Sequence, residues 1–181
     1  MIKKGSKMIN KNTMLLPIRL FMTLYFLTFC ISCQSDVIFT VEDGSGPPLS
    51  TENTVTVTLD NPSIEIRGVQ MDICDEGDYL TCTGCETTER TPDFFCITNE
   101  LPDGCCRMIL VSLTGDSIEA GTRPIFTLSY DVSEEAPVGE CKDLNLESVT
   151  IVDEDMQPLD IRSLSIPGEF CFEDNAEEDE I

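Results

Sequence analysis

Alternating apolar and polar residues dominate the chain after residue 36. The segment TVTVTLDN places Val55, Val57 and Leu59 on one face of an extended chain and threonines on the other. Because successive side chains of a strand point to opposite faces, this period of two predicts a strand with one buried face. The segment IEIRGVQMDI repeats the alternation, but its phase changes at Arg67 and Gly68. A glycine at such a break predicts a bulge or a bend within one strand.

Five more segments have a strand pattern, with turn residues between them: VIFTV, RMILVSLTGD, PIFTLSYDV, NLESVTIVDED and PLDIRSLSI. The stretch GSGPPLSTEN is typical of a loop, and so is TCTGCETT. No long segment has the period of a helix, and we find neither an internal repeat nor an interdomain linker. The pattern therefore predicts an all-β fold, a β-sandwich or jelly roll of about nine strands.

The N-terminus has a different pattern, in which basic residues precede an apolar run at residues 20–29. Ten residues are too short to span a bilayer as a helix, so residues 1–33 are predicted to be a signal peptide. The run ends in CISC, where Ser32 and Cys33 resemble the end of a bacterial lipoprotein box, although Cys30 departs from it. We predict lipidation of Cys33, with ordinary cleavage as the alternative. The expected location is extracellular or at the cell surface, with the lipid as the only membrane contact.

Charge is distributed unevenly about that cysteine. All 34 acidic residues follow Cys33, whereas five of the 11 basic residues precede it, so the mature chain has a net charge of about −28. Such a chain repels nucleic acid, and nucleic-acid binding is excluded. Residues 34–172 have the length of a single domain, and residues 173–181 are predicted to be an acidic disordered tail.

Eight cysteines follow Cys33, and six of them lie in a cysteine-rich insert at residues 74–106. An even number in an exported chain predicts four disulfides. The eight are Cys74, Cys82, Cys85, Cys96, Cys105, Cys106, Cys141 and Cys171. Two alternatives use the CxxC at Cys82 and Cys85: a zinc site of four thiolates, which lacks a second CxxC, and a redox site, which lacks a βαβ context.

Two features narrow the pairing of these cysteines. Cys105 and Cys106 are neighbours at the start of a predicted strand, so their side chains should point to opposite faces and bond to different partners. Cys141 and Cys171 remain as an expected pair outside the insert. The remaining connectivity is left open by the sequence.

Few residues are candidates for catalysis, metal binding or partner binding. The chain has no histidine, which removes Ser-His-Asp and Cys-His sites, and we predict no catalytic residue and no cofactor. Acidic clusters at residues 72–78 and 153–155 contain the carboxylates that calcium prefers, but neither matches an EF-hand loop. We therefore predict no metal site in this chain and expect calcium on a partner instead. Phe94 and Phe95, within the insert, are the candidate binding residues, although burial is the commoner fate of such a pair.

The strand and turn pattern resembles the cohesin domain over roughly residues 37–172. Cohesins have an alternating strand ending in Leu-x-Asn, a strand with an apolar-Gly-apolar bend, an Ile-x-x-Gly segment, an Ile-x-x-Leu-x-Tyr-x-Val strand, an Ala-Pro-x-Gly turn and a final acidic turn. These features match residues 55–61, 66–73, 118–121, 125–132, 136–139 and 149–161. The cysteine-rich insert departs from that family.

The resemblance implies a nine-stranded jelly roll that binds a dockerin module on one flat sheet face. It therefore implies a non-enzymatic module that recruits a dockerin-bearing or similar protein to the cell surface. Because cohesins share their fold with carbohydrate-binding modules, the alternative is a module that binds polysaccharide during its breakdown. Sugar sites usually present aromatic faces, and this chain has no Trp and three Tyr, so a protein partner is favoured.

Overall fold

The structure is a computed structural model and describes residues 37–153, 155, 157–159 and 163–174. These residues form eleven strands and no helix. Among them, therefore, no helix is long and apolar enough to cross a membrane. The strands are β1 (Val37–Val41), β2 (Gly44–Gly46), β3 (Asn53–Asn61), β4 (Gly68–Asp75), β5 (Leu80–Thr87), β6 (Phe95–Glu100), β7 (Cys106–Val111), β8 (Gly121–Val132), β9 (Cys141–Val152), β10 (Ser163–Ile166) and β11 (Gly168–Phe172).

These strands form two sheets that pack as a sandwich. The first sheet has the order β10-β1-β3-β8-β5, and the second has the order β2-β11-β9-β4-β7-β6. Pairing is antiparallel except for β1 with β10 and β2 with β11, which are parallel. The prediction of an all-β sandwich is confirmed.

The core lies between the sheets and consists of the inward residues of the alternating strands. On β3 these are Val55, Val57 and Leu59, each at most 1% exposed, as their spacing predicted. Phe170 and Phe172 of β11 enter the same core, with their ring centroids 5.5 Å apart. Burial of these apolar side chains is the main term that stabilises the sandwich.

The four disulfides of the structure use all eight cysteines after Cys33. Cys74 bonds to Cys105 and Cys141 bonds to Cys171, each pair within the second sheet or at its margin. Cys82 bonds to Cys106 and Cys85 bonds to Cys96, and both of these bonds run from β5 in the first sheet to the second sheet. Cys105 and Cys106 thus have different partners, Cys141 and Cys171 form the expected pair, and no thiolate of the zinc alternative is free.

Three expectations about the strands were wrong. The segment TCTGCETT was expected to be a loop, but it forms most of β5, because its threonines suit an extended edge strand. The loop GSGPPLSTEN contains the short β2, and the described residues form eleven strands where about nine were expected. Gly68 begins β4 instead of bending it, and Ile66 forms an isolated bridge with Ile118.

Several predictions fall outside the described residues. These are the signal peptide, lipidation of Cys33, most of the acidic tail, and Glu154 of the second acidic cluster. They remain predictions.

Candidate functional site

The outer face of the first sheet is polar. Thr56 of β3 and Thr127 of β8 lie side by side with their hydroxyls 3.3 Å apart. Thr58 donates a hydrogen bond to Glu42 (3.0 Å), and Thr122 donates one to the carboxylate of Asp60 (2.8 Å). Burying these hydroxyls and carboxylates in an interface would cost free energy unless each kept a hydrogen-bond partner. This face is therefore suited to solvent.

The outer face of the second sheet carries an apolar patch instead. The register places Phe95 of β6 beside Val111 of β7, and Ile97 beside Ile109. Val152 of β9 continues the row on the other side of β4. We call these five residues the apolar patch. Phe95 is 51% exposed and Ile97 is 56% exposed, so the patch is open to solvent at its β6 side.

A shallow depression lies inside the apolar patch, at Gly68 of β4. Its volume is about 150 Å³, and aliphatic side chains from β7 and β9 form most of its walls. A Cβ atom at position 68 would lie 2.9 Å from Cγ2 of Val152 and 3.2 Å from the carbonyl oxygen of Leu110, closer than such atoms normally approach. The depression therefore depends on the missing side chain of this glycine.

An ion pair borders the apolar patch one row further along the sheet. Arg107 of β7 donates two hydrogen bonds of 2.7 Å, from Nε and Nη2, to the two carboxylate oxygens of Asp72 on β4. Hydrogen bonding from Arg107 lowers the pKa of Asp72, outweighing the opposing effect of burial, and the side chain of Ser148 adds to the lowering. Because Asp72 is held on both oxygens, its carboxylate is a fixed part of the face.

A bulge in β9 lies opposite this ion pair. Between Gln70 and Asp72 of β4 the pairing with β9 shifts by one residue, and Ser148 has a φ of 51° in the left-handed region. Beyond it, Glu147 lies beside Asp72, and Asp143 lies beside Glu169 of β11. The second face thus changes from apolar at the β6 side to acidic at the β11 side.

The structure separates the two aromatic residues predicted to bind. Phe94 is 8% exposed and belongs to the core, whereas Phe95 is on the apolar patch. Four further patch residues were missed: Ile97, Ile109, Val111 and Val152. The signal for Ile97 was present in FCITNE, since an inward cysteine at position 96 forces its two neighbours outward.

Metal binding finds little support among the described residues. Within the part of the chain that the structure describes, the only group of three potential ligand side chains close enough to share an ion is Cys141, Glu169 and Cys171, and its two sulfurs already form a disulfide. In the acidic cluster at residues 72–78, Asp72 is paired with Arg107, and Asp75 accepts a hydrogen bond from the backbone N–H of Tyr79 (2.7 Å).

Comparison with known proteins gives a fold. No family model matches the chain, and no curated protein matches its sequence. Among solved structures, the sixth cohesin of scaffoldin B from Acetivibrio cellulolyticus, in complex with a dockerin, is 15% identical with a TM-score of 0.62, covering 77% of this chain and 100% of that one.

Two further cohesins agree with this. A cohesin from Clostridium acetobutylicum is 18% identical with a TM-score of 0.60, covering 77% of this chain and 92% of that one. A non-cellulosomal cohesin from Archaeoglobus fulgidus is 14% identical with a TM-score of 0.59, covering 75% and 90%. The described domain therefore has the cohesin fold, as the sequence resemblance implied.

Proposed function

We propose that this domain is a non-enzymatic module that binds a protein partner on the outer face of its second sheet. The observation that carries the proposal is the apolar patch, where large side chains are exposed on the outer face of a sheet in a chain that is otherwise strongly acidic. Exposed apolar clusters framed by polar residues are typical of protein interfaces.

Charge and shape indicate the surface that would fit. The patch and its depression suit aliphatic side chains, and the acidic residues toward β11 suit Lys or Arg at the rim of the partner. A dockerin is the favoured class, since the Acetivibrio cellulolyticus cohesin was solved with one bound. The net charge would also speed association with a basic partner at low salt.

Polysaccharide binding is the alternative function. The first sheet has an open polar groove of about 400 Å³, lined by Thr56, Thr88 and Thr127 together with charged side chains. No aromatic ring lines this groove, and stacking on such rings is the usual way in which proteins hold sugars. The groove therefore ranks below the apolar patch.

We also propose that the domain is exported and held at the cell surface through a lipid on Cys33. Four disulfides are compatible with an oxidising compartment outside the cytosol. Mass spectrometry of the N-terminal peptide from the native host should show an acyl mass on Cys33. An unmodified N-terminus at or after this residue would contradict the anchor.

Site-specific photocrosslinking tests the binding face. A photoreactive amino acid replaces Ile97 in one full-length variant and Thr56 in a matched variant, and each is exposed to the secretome of the source cell. We expect a partner to crosslink from position 97 and not from position 56. That partner, once purified, should bind the wild-type protein, and Ile97→Asp should weaken this binding at least 30-fold.

Two outcomes would contradict the proposal. One is crosslinking from position 56 alone. The other is a wild-type protein that binds purified polysaccharide but none of the crosslinked proteins, which would move the function to the polar groove.

A further inference from the structure

Strand β6 has its apolar side chains on the solvent side. Its inward residues are Cys96 and Thr98, which pair with the buried Leu110 and Met108 of β7, and its outward residues are Phe95 and Ile97. Turning the strand over by one residue would bury the two large apolar side chains. The hydrophobic effect alone therefore favours the opposite orientation.

An inward disulfide opposes that preference. Cys96 is bonded to Cys85 of β5, in the other sheet, with their Cα atoms 5.6 Å apart. Because β6 is an edge strand that pairs only with β7, this bond is the one disulfide that ties the strand itself to the first sheet.

The connection that leads into β6 is also fixed to the first sheet. Arg90 donates hydrogen bonds to the carbonyl oxygens of Leu59 (2.6 Å) and Gly121 (2.9 Å). The hydroxyl of Thr91 donates to the carbonyl oxygen of Ile125 (2.5 Å), and Phe94 follows in the core. The chain thus enters β6 from a fixed point, with an inward residue immediately before Phe95.

We infer that Cys85 and Cys96 are positioning residues for partner binding: their disulfide holds β6 in the orientation that presents Phe95 and Ile97 to the partner. The inference rests on the proposed function for its consequence, while the orientation of β6 can be measured without any partner. Phe94 sets the phase where the chain enters β6, so without the bond it is the strand beyond Phe94 that detaches from the core, and the β6 side of the apolar patch is lost.

Hydrogen exchange on the oxidised full-length chain tests the orientation. The double variant Cys85→Ser with Cys96→Ser is compared with Cys141→Ser with Cys171→Ser, which removes a disulfide far from β6. We expect amide exchange in β6 to become at least tenfold faster in the first variant and to stay unchanged in the second. Amides of β4 should remain protected in the first variant, because Cys82–Cys106 still links the sheets.

A rescue variant separates orientation from general stability. Cys85→Ala with Cys96→Val replaces the disulfide by an inward apolar side chain, and it should restore slow exchange in β6. Unchanged β6 exchange in the serine variant, or equally faster exchange in every strand, would overturn the inference.

Binding supplies the second readout. The partner identified by photocrosslinking should bind the serine variant at least tenfold more weakly, with most of the change in dissociation, and bind the valine variant nearly as tightly as the wild type. Equal binding by wild type and serine variant would refute the positioning role while leaving the proposed function intact. If the wild type binds no protein, the proposed function fails, and hydrogen exchange alone decides the orientation of β6.

Discussion

The two outer faces of the sandwich are built on equally regular strands and yet differ in chemistry. Thr56 and Thr58 point outward from β3, whereas Ile109 and Val111 point outward from β7. The central inward residues of β3 and all the inward residues of β7 are apolar and buried. The core pattern therefore specifies the fold, and the outward residues alone distinguish a solvated face from a face suited to binding.

The largest expected effect comes from two neighbouring residues, Phe94 in the core and Phe95 on the outer face of the second sheet. Phe94→Ala should lower the free energy of unfolding by about 3 kcal/mol, because it leaves a cavity in the core. Phe95→Ala should change unfolding by well under half of that and should weaken partner binding instead. Denaturant unfolding and equilibrium binding measure the two effects. Equal losses of stability would show that Phe95 is part of the core.

A charge on each outer face sharpens the comparison. Ile97→Asp should weaken partner binding by about 2 kcal/mol, roughly 30-fold, because a buried carboxylate would replace an apolar contact. Thr54→Asp, on the exposed polar face, should leave binding unchanged. Isothermal titration with the purified partner compares them. Similar losses of binding affinity for both variants would indicate a nonspecific effect of charge. They would contradict the assignment of binding to the outer face of the second sheet.

The ion pair on the second face predicts a pH dependence. Because the pKa of Asp72 is lowered in the folded state, its contribution to stability is present above the ordinary carboxyl pKa and is lost as pH falls below about 4. Asp72→Asn should therefore lower the free energy of unfolding at pH 7, by less than Phe94→Ala does. The difference in stability between wild type and Asp72→Asn should shrink toward pH 3. Asp60→Asn, on the outer face of the first sheet, is the control and should lower the free energy of unfolding by less than Asp72→Asn does. A constant difference across this range would contradict the argument.

The smallest effect concerns Asp75, three residues along the same strand. Burial raises its pKa, so the folded state favours the protonated form and stability falls as pH rises through the raised pKa. Asp75→Asn should then slightly stabilise the protein at pH 7 and have no such effect at pH 3. The gain is limited because the carboxylate accepts the backbone N–H of Tyr79. Thermal unfolding at both pH values measures it, and destabilisation at pH 7 would show that this hydrogen bond dominates.

Strands with one apolar face were predictable from the sequence. In β1, β3, β7 and β8 most inward positions are apolar, and burial of one face fixes which residues those are. Strands β5 and β6 lacked that signal, because cysteine and threonine occupy most positions of β5, and in β6 they are inward while Phe95 and Ile97 are outward. Their orientation depends on covalent bonds, which the hydrophobic pattern does not encode.

The candidate site was harder to predict than the fold. Phe95 was named from its position in the insert, but the apolar patch also needs residues from β7 and β9, which are distant in sequence and meet only through strand pairing. The depression at Gly68 depends on a close approach of Val152 that no local pattern reveals. One pair of cysteines could be predicted because only two of the eight after Cys33 lie outside the insert, whereas the six within it allow 15 pairings.

The two disulfides between the sheets have a mechanical consequence. The described chain enters the domain through β1 in the first sheet, whereas a partner on the apolar patch would pull on the second sheet. With the proposed lipid on Cys33 as the anchor, a tensile load would therefore have to cross the sandwich. Cys82–Cys106 and Cys85–Cys96 carry it through covalent bonds, the second of them beside the apolar patch, so the sheets cannot be peeled apart along this margin. Under force, the domain should yield first at β1, which is held by hydrogen bonds and core packing and has no disulfide.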